Sequence, residues 1–195
     1  MKVLGIEGSP RRDGNTEKLV KTILSGASDK DADTAFYKLA RMNFSPCLGC
    51  ITCREDGVCT INDDMQHLYE DIQKSEVMVI GSPIYMWQVS AHTKIFMDRL
   101  IPFIDRDFGS RLNSQKRVVF AFTQGNPDAE AFREYFSYLE RLFRFLHFDV
   151  VDTIVAAGTR DKNDIENQPA VLGQARQCGM DVVTGASIES ASQKK

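Results

Sequence analysis

The residues best suited to chemistry are four cysteines within thirteen positions, Cys47, Cys50, Cys53 and Cys59. Two, two and five residues separate them, and only Cys178 lies elsewhere. Thiolates that converge from one tight loop suit an iron–sulfur cube, which takes four sulfur ligands. Zinc is the rival metal, but its paired C-x-x-C knuckles usually stand a dozen or more residues apart. Disulfides are the third chemistry and belong to oxidising compartments. Met1 to Ile6 reads straight into a loop motif without a leader peptide, so reduced thiols in the cytoplasm are expected. In the common bacterial run, three residues precede the last cysteine, a proline follows it, and it serves a second cluster. Here five precede Cys59 and Thr60 follows, which fits a lone cluster whose fourth ligand loops back past Gly57.

Such a loop has to be carried by a scaffold, and apolar periodicity supplies one. Strands are predicted at Lys2–Gly8, Thr34–Leu39, Glu76–Gly81, Arg117–Thr123 and Val150–Ala157. Helices are predicted at Asn15–Ala27, from Asp63-Asp64 through Ile72, at Ala91–Ile104, Ala129–Leu146 and Asp164–Ala186. Val77-Met78-Val79-Ile80 is continuously apolar, as a strand covered on both faces must be. Strands alternating with helices imply a doubly wound, three-layer α/β/α domain over residues 1–187. The cluster loop would occupy 43–62 and a polar tail 188–195. Five parallel strands in the order 2-1-3-4-5 match the flavodoxin-like version of this fold, which binds ligands at the carboxyl ends of its strands.

Three loops at those ends carry the right residues. Gly8-Ser9-Pro10-Arg11-Arg12-Asp13-Gly14-Asn15-Thr16 joins a strand to a helix N-terminus. Backbone N–H groups and hydroxyls there can nest a phosphate, although a simple helix-capping turn would use the same residues. It is neither a P-loop nor a G-x-G-x-x-G fingerprint. Ser82-Pro83-Ile84-Tyr85-Met86-Trp87 offers aromatic and sulfur-bearing surface for a flat ring, or for a subunit contact. Thr123-Gln124-Gly125-Asn126-Pro127 lets a ring approach the backbone, or is an ordinary turn.

Gly8-Ser9-Pro10-Arg11 with Gly14-Asn15-Thr16 resembles the FMN-phosphate loop of flavodoxin-like NAD(P)H-dependent FMN reductases. Pro83-Ile84-Tyr85, followed by Ala91, Lys94, Phe96 and Asp98-Arg99, resembles their second flavin loop. The cysteine run ahead of Asp63-Asp64-Met65 resembles the iron–sulfur flavoproteins of anaerobic archaea and bacteria. The resemblance spans Lys2 to about Ala157 and implies noncovalent FMN, one 4Fe-4S cluster per subunit, and a homodimer or homotetramer. It implies a phosphate site of Ser9, Pro10, Arg11, Gly14, Asn15 and Thr16. The ring would lie against Pro83, Ile84, Tyr85, Met86, Trp87, Thr123 and Gly125, with Cys47, Cys50, Cys53 and Cys59 on the cluster. Glu7 departs from the family, whose residue there is usually small and uncharged. A carboxylate beside a phosphate must point away or pair with Arg11 or Arg12.

The expected function is electron transfer between a two-electron and a one-electron partner, a small molecule or a ferredoxin, with no side-chain nucleophile. The rivals are a flavin or quinone reductase without a cluster, a redox sensor acting through a partner, and a zinc-stabilised interaction module. A net charge of −3 leaves no basic field for nucleic acid, and no apolar run reaches the ~20 residues of a membrane helix. His67, His92 and His147 fall in predicted helices and read as surface or packing residues, and Cys178 as a buried thiol. The charges Arg99, Arg106, Arg111 and Lys116 read as a solvated face or as a docking patch for an acidic partner. The aromatic helix from Phe132 to Leu146 suggests an oligomer contact.

Overall fold

The computed structural model describes residues 1–185; the expected tail, and the predicted last-helix end at Ala186, lie outside them. The strands are β1 (Lys2–Glu7), β2 (Asp33–Lys38), β3 (Val77–Tyr85), β4 (Gln88–Val89), β5 (Lys116–Thr123) and β6 (Phe148–Ala156). The helices are α1 (Asn15–Ser28), α2 (Cys53–Asp56), α3 (Met65–Lys74), α4 (Ala91–Asp98), α5 (Arg133–Phe145) and α6 (Pro169–Thr184). The sheet runs β2-β1-β3-β5-β6 with every one of these pairs parallel, the expected flavodoxin-like order. Where the sequence predicts five strands, the structure adds a sixth: β4 folds back antiparallel on the end of β3.

Side-chain alternation along the strands divides the core in two. Leu4, Ile6, Met78, Ile80, Val118, Phe120 and Phe122 face α3, α4 and α5. Val3, Val77, Val79, Val119 and Ala121 face α1 and α6. The aromatic side of α5 feeds the first core: Phe136 stacks on Phe122 at 4.5 Å, and Phe143 meets Phe120 edge-on at 5.0 Å. Only Tyr138 and Phe145 of that helix stay exposed among its large apolar side chains.

Several boundaries differ from the sequence reading, each for a local reason. β3 continues past Gly81 to Tyr85, because Ser82 and Pro83 still pair with β5 and Ile84-Tyr85 pair with β4. α4 stops at Asp98 rather than Ile104, and Pro102 sits in the separate 3-10 turn that follows. α6 opens at Pro169, whose fixed φ suits a first helical turn, so Asp164–Asn167 form a 3-10 turn of their own. His147 lies beyond the end of α5 at φ 65°, not in a helix.

Two charges of the presumed solvated stretch are instead buried. The Lys116 ammonium donates to Gln73 O and Ser75 O, both at 2.7 Å, and to Asn113 Oδ1 at 2.6 Å, tying the end of α3 to β5. Arg99 is taken up below.

Helices α1 and α6 cross almost backbone to backbone. A Cβ on Gly179 would stand 2.0 Å from Ile23 O, and one on Gly26 would stand 2.0 Å from Arg176 O. Gly179→Ala therefore has to prise the helices apart, at a cost of about 1–3 kcal/mol. Urea unfolding should register that loss, and an unchanged midpoint would contradict the crossing.

Candidate functional site

The strand ends β1, β3, β5 and β6 surround a cleft of about 270 Å³. Its lining includes Ser9, Arg11, Asn15, Thr16, Pro83, Ile84, Tyr85, Thr123 and Gly125, nine of the residues expected to hold a flavin. Pro10 and Gly14 belong to the same loop but do not line the cleft. Met86 and Trp87 line an adjoining space of about 440 Å³, which shares Ile84, Gly125 and Arg160 with the first. The two residues form the tip of the β3–β4 hairpin. Their φ values are 46° and 65°, as a tight primed turn demands and as bulky side chains resist. Both are held out in solvent, 84% and 71% exposed.

Helix α1 points its N-terminus into the cleft. Gly14 supplies no side-chain cap, and among the described residues no acceptor is bonded to the N–H groups of Asn15, Thr16 and Glu17. Unpaired N–H groups at the positive end of a helix are chemically suited to an anion. The side chains expected to meet the phosphate are partly committed elsewhere. Asn15 Nδ2 donates to Asp161 O at 2.6 Å and its Oδ1 accepts from Ile165 N. The Thr16 and Thr123 hydroxyls bond each other at 2.7 Å, and Arg11 Nη1 donates to Arg160 O. The backbone N–H groups are therefore the uncommitted donors of this helix end. Thr159 and Arg160 complete the wall from the loop after β6. Sequence reasoning missed them; the signal was that loop's place at a fourth strand end.

Glu7 does not line the cleft, and it meets neither Arg11 nor Arg12. It is fully buried and lies beside Lys38, 3.0 Å away. Burial is the chief reason its carboxyl is pushed above the ordinary value. Glu17 behaves oppositely. Burial opposes its ionisation, but hydrogen bonds from Lys21, Lys38 and the Asp13 N–H prevail and lower it from 4.5 to about 2.

The cysteines lie at the other end of α4. Ser90, which caps α4, donates from Oγ to Gly8 O at 2.6 Å, so the helix starts beside the loop that follows β1. Its last turn, with Asp98 and Arg99, joins Cys47, Cys50, Cys53, Cys59 and Tyr69 in lining a pocket of about 400 Å³. The eight residues of α4 span about 12 Å. Cys53 is buried while Cys47 and Cys50 are exposed. Burial, then the charges of Cys59, Cys47 and Cys50, pushes the Cys53 thiol up, a sign that the four sulfurs share one neighbourhood. Among the described residues no three His, Cys, Asp or Glu side chains converge closely enough for a single metal ion.

The loop is closed at its base. Asp64 N donates to Asn43 O at 3.1 Å, and Asn43 N donates back to Asp64 Oδ2 at 2.7 Å. Arg99, 1% exposed, clamps both arms: it donates to Ser45 O at 2.7 Å and to both carboxylate oxygens of Asp63. Arg54 and Arg111 tie α2 to the 103–106 segment. Left-handed φ at Gly49, Ile51 and Gly57 turns the chain between the cysteines. For the β-branched Ile51 that conformation is strained.

A family model described as NADPH-dependent FMN reductase matches residues 1–160, and the chain belongs to that family. An iron-sulfur flavoprotein of Methanocaldococcus jannaschii is 41% identical over 102 residues, 52% of this chain and 53% of the relative. Another, from Archaeoglobus fulgidus, is 33% identical over 144 residues, 74% of this chain and 63% of the relative. The chain thus matches between half and two thirds of these relatives' length. An NAD(P)H:quinone oxidoreductase from Methanothermobacter marburgensis shares the fold at a TM-score of 0.76 and 17% identity, covering 93% of this chain and 96% of its own.

Two outcomes test the site's electrostatics. Arg99→Met leaves Asp63 buried without its cation, so stability should fall by about 3–5 kcal/mol in denaturant titrations; a loss under 1 kcal/mol would refute the clamp. For Glu17, the folded carboxyl titrates below its ordinary value, so its stabilisation is complete above pH 4.5 and disappears as the pH falls toward about 2. The melting temperatures of the parent and Glu17→Gln should differ at neutral pH and converge on acidification below 4.5. A constant gap would show that the charge is not responsible.

Proposed function

We propose that this chain is an electron-transferring oxidoreductase that binds FMN in the strand-end cleft and a 4Fe-4S cluster in the cysteine pocket. The observation that carries the proposal is the pairing of the two sites. The cap of α4 bonds Gly8 O, next to Ser9 of a cleft lined by family-type flavin residues, and its last turn lines a pocket shared by all four loop cysteines. When bound, FMN exchanges electrons in pairs or singly while the cluster carries one at a time, so together they join two-electron and one-electron partners.

The protein's part is to bind, orient and shield. The N–H groups of Asn15, Thr16 and Glu17, with Ser9 and Arg11, hold the phosphate. Pro83, Ile84, Tyr85, Thr123 and Gly125 frame the ring, and Met86 and Trp87 flank the adjoining space where a planar partner reaches it. Cys47, Cys50, Cys53 and Cys59 ligate the cluster. The donor set fits a cluster better than zinc. Its two-, two- and five-residue spacings suit thiolates converging from one tight loop, whereas paired zinc knuckles usually stand a dozen or more residues apart. The names of the archaeal relatives support the cluster as well. Exchange with a small molecule or a ferredoxin, assembly as a homodimer or homotetramer, and a cytoplasmic setting belong to the same proposal. No described helix is long and apolar enough to cross a membrane.

A cluster-free NAD(P)H-dependent flavin or quinone reductase is the second reading, favoured by the open space beside the cleft and by the quinone-reductase fold. Anaerobic purification with flavin, iron and acid-labile sulfide assays separates the two. One FMN with about four iron and four sulfide per chain is expected, and Cys53→Ser should lose the iron but retain FMN. FMN without iron in the anaerobic parent protein would establish the second reading instead.

A further inference from the structure

We propose that Lys38 is a positioning residue for the phosphate loop, the counter-ion that lets two buried carboxylates shape a loop made to receive an anion. The proposal rests on the reading of the cleft as an FMN site, and it concerns residues that no ligand would touch.

The three groups meet because of the fold. Glu7 ends β1 and Lys38 ends β2, and the parallel register makes them direct neighbours. Glu17 reaches the same point from the first turn of α1. Glu7 is fully buried, Glu17 is 5% exposed and Lys38 9%. The Lys38 ammonium lies 3.0 Å from Glu7 Oε2 and 2.7 Å from Glu17 Oε2, and donates to Arg11 O at 2.8 Å. Glu7 Oε2 has no hydrogen-bond partner besides this charge contact.

Each member holds a different residue of the loop from beneath. Glu7 Oε1 accepts the Ser9 N–H at 2.8 Å. Lys38 holds the Arg11 carbonyl, and Glu17 Oε2 accepts the Asp13 N–H at 3.0 Å. Residues 9, 11 and 13 are thus fastened below, while Asn15 and Thr16 line the cleft and their N–H groups, with that of Glu17, are left without an acceptor among the described residues. Carboxylates are suited to gripping N–H groups but poorly suited to lying under a phosphate. Two of them unpaired would carry uncompensated buried charge and repel the ligand. Lys21 reaches only Glu17 and is half exposed, so it cannot replace Lys38 at Glu7.

The test is the dissociation constant of FMN, read by quenching of its fluorescence on titration with flavin-free protein. Lys38→Met should weaken FMN binding tenfold or more. Glu7→Gln/Lys38→Met, which removes one carboxylate with the cation and keeps an acceptor for Ser9, should return within about threefold of the parent. Parent-like affinity in Lys38→Met, or a double variant no better than the single, would overturn the assignment. Should Lys38→Met not fold, the double variant decides: folded and binding within threefold supports the assignment, and failure to fold or bind overturns it. A parent protein that binds no FMN would overturn the flavin reading and this proposal together. FMN bound equally by parent and Lys38→Met would sink only the role of Lys38.

Discussion

The seat of α1 on the sheet is the constraint from which the strand-end cleft follows. A Cβ on Gly81 would stand 2.3 Å from Val20 Cγ2, and one on Gly5 would stand 2.7 Å from Leu24 Cδ1. With α6 pressed just as closely on its other side, α1 has little freedom to slide or tilt. Its first turn is therefore fixed over the switch point between β1 and β3, where strand order reverses. The orphan N–H groups owe their aim to this packing. Ionic contacts at the loop refine a position that van der Waals contact has already chosen.

The cysteine loop obeys another logic. It has few apolar contacts of its own, and Leu48, Ile51 and Val58 are exposed. It is held by hydrogen bonds at its base and by buried Arg99, with Cys53 anchored in the core and the other sulfurs nearer the surface. Such a loop keeps its ends fixed while its tip can adjust to what it binds. The strand-end cleft, by contrast, is walled by loops that continue directly from four strands. Helix α4 joins the two: its cap contacts the loop after β1 and its last turn lines the cysteine pocket.

Much of this was legible in the chain. Continuous apolar runs such as Val77–Ile80 announced strands buried on both faces, and the strand–helix alternation led to the observed order. The glycine-serine-proline turn and Thr123-Gln124-Gly125 pointed to the cleft. What stayed hidden depended on distant partners. Arg99 and Lys116 looked like surface charges because burial of a cation depends on acceptors far along the chain, Asp63 for one and Gln73 O and Ser75 O for the other. Likewise the pairing of Glu7 with Lys38 rather than with nearby Arg11 arises from β1–β2 register. Thr159 and Arg160 carry no motif, and only the closing of the sheet brings them to the site.

By itself the sequence determined the layers, the strand order and the chemical character of both sites, because periodicity and residue type are local and additive along the chain. Tertiary structure decided which donors remain free for an anion, which charges are paired and how far apart the two sites stand. Those properties depend on distances between residues up to about 150 positions apart, as between Asn15 and Ile165, and such distances exist only once the sheet has formed.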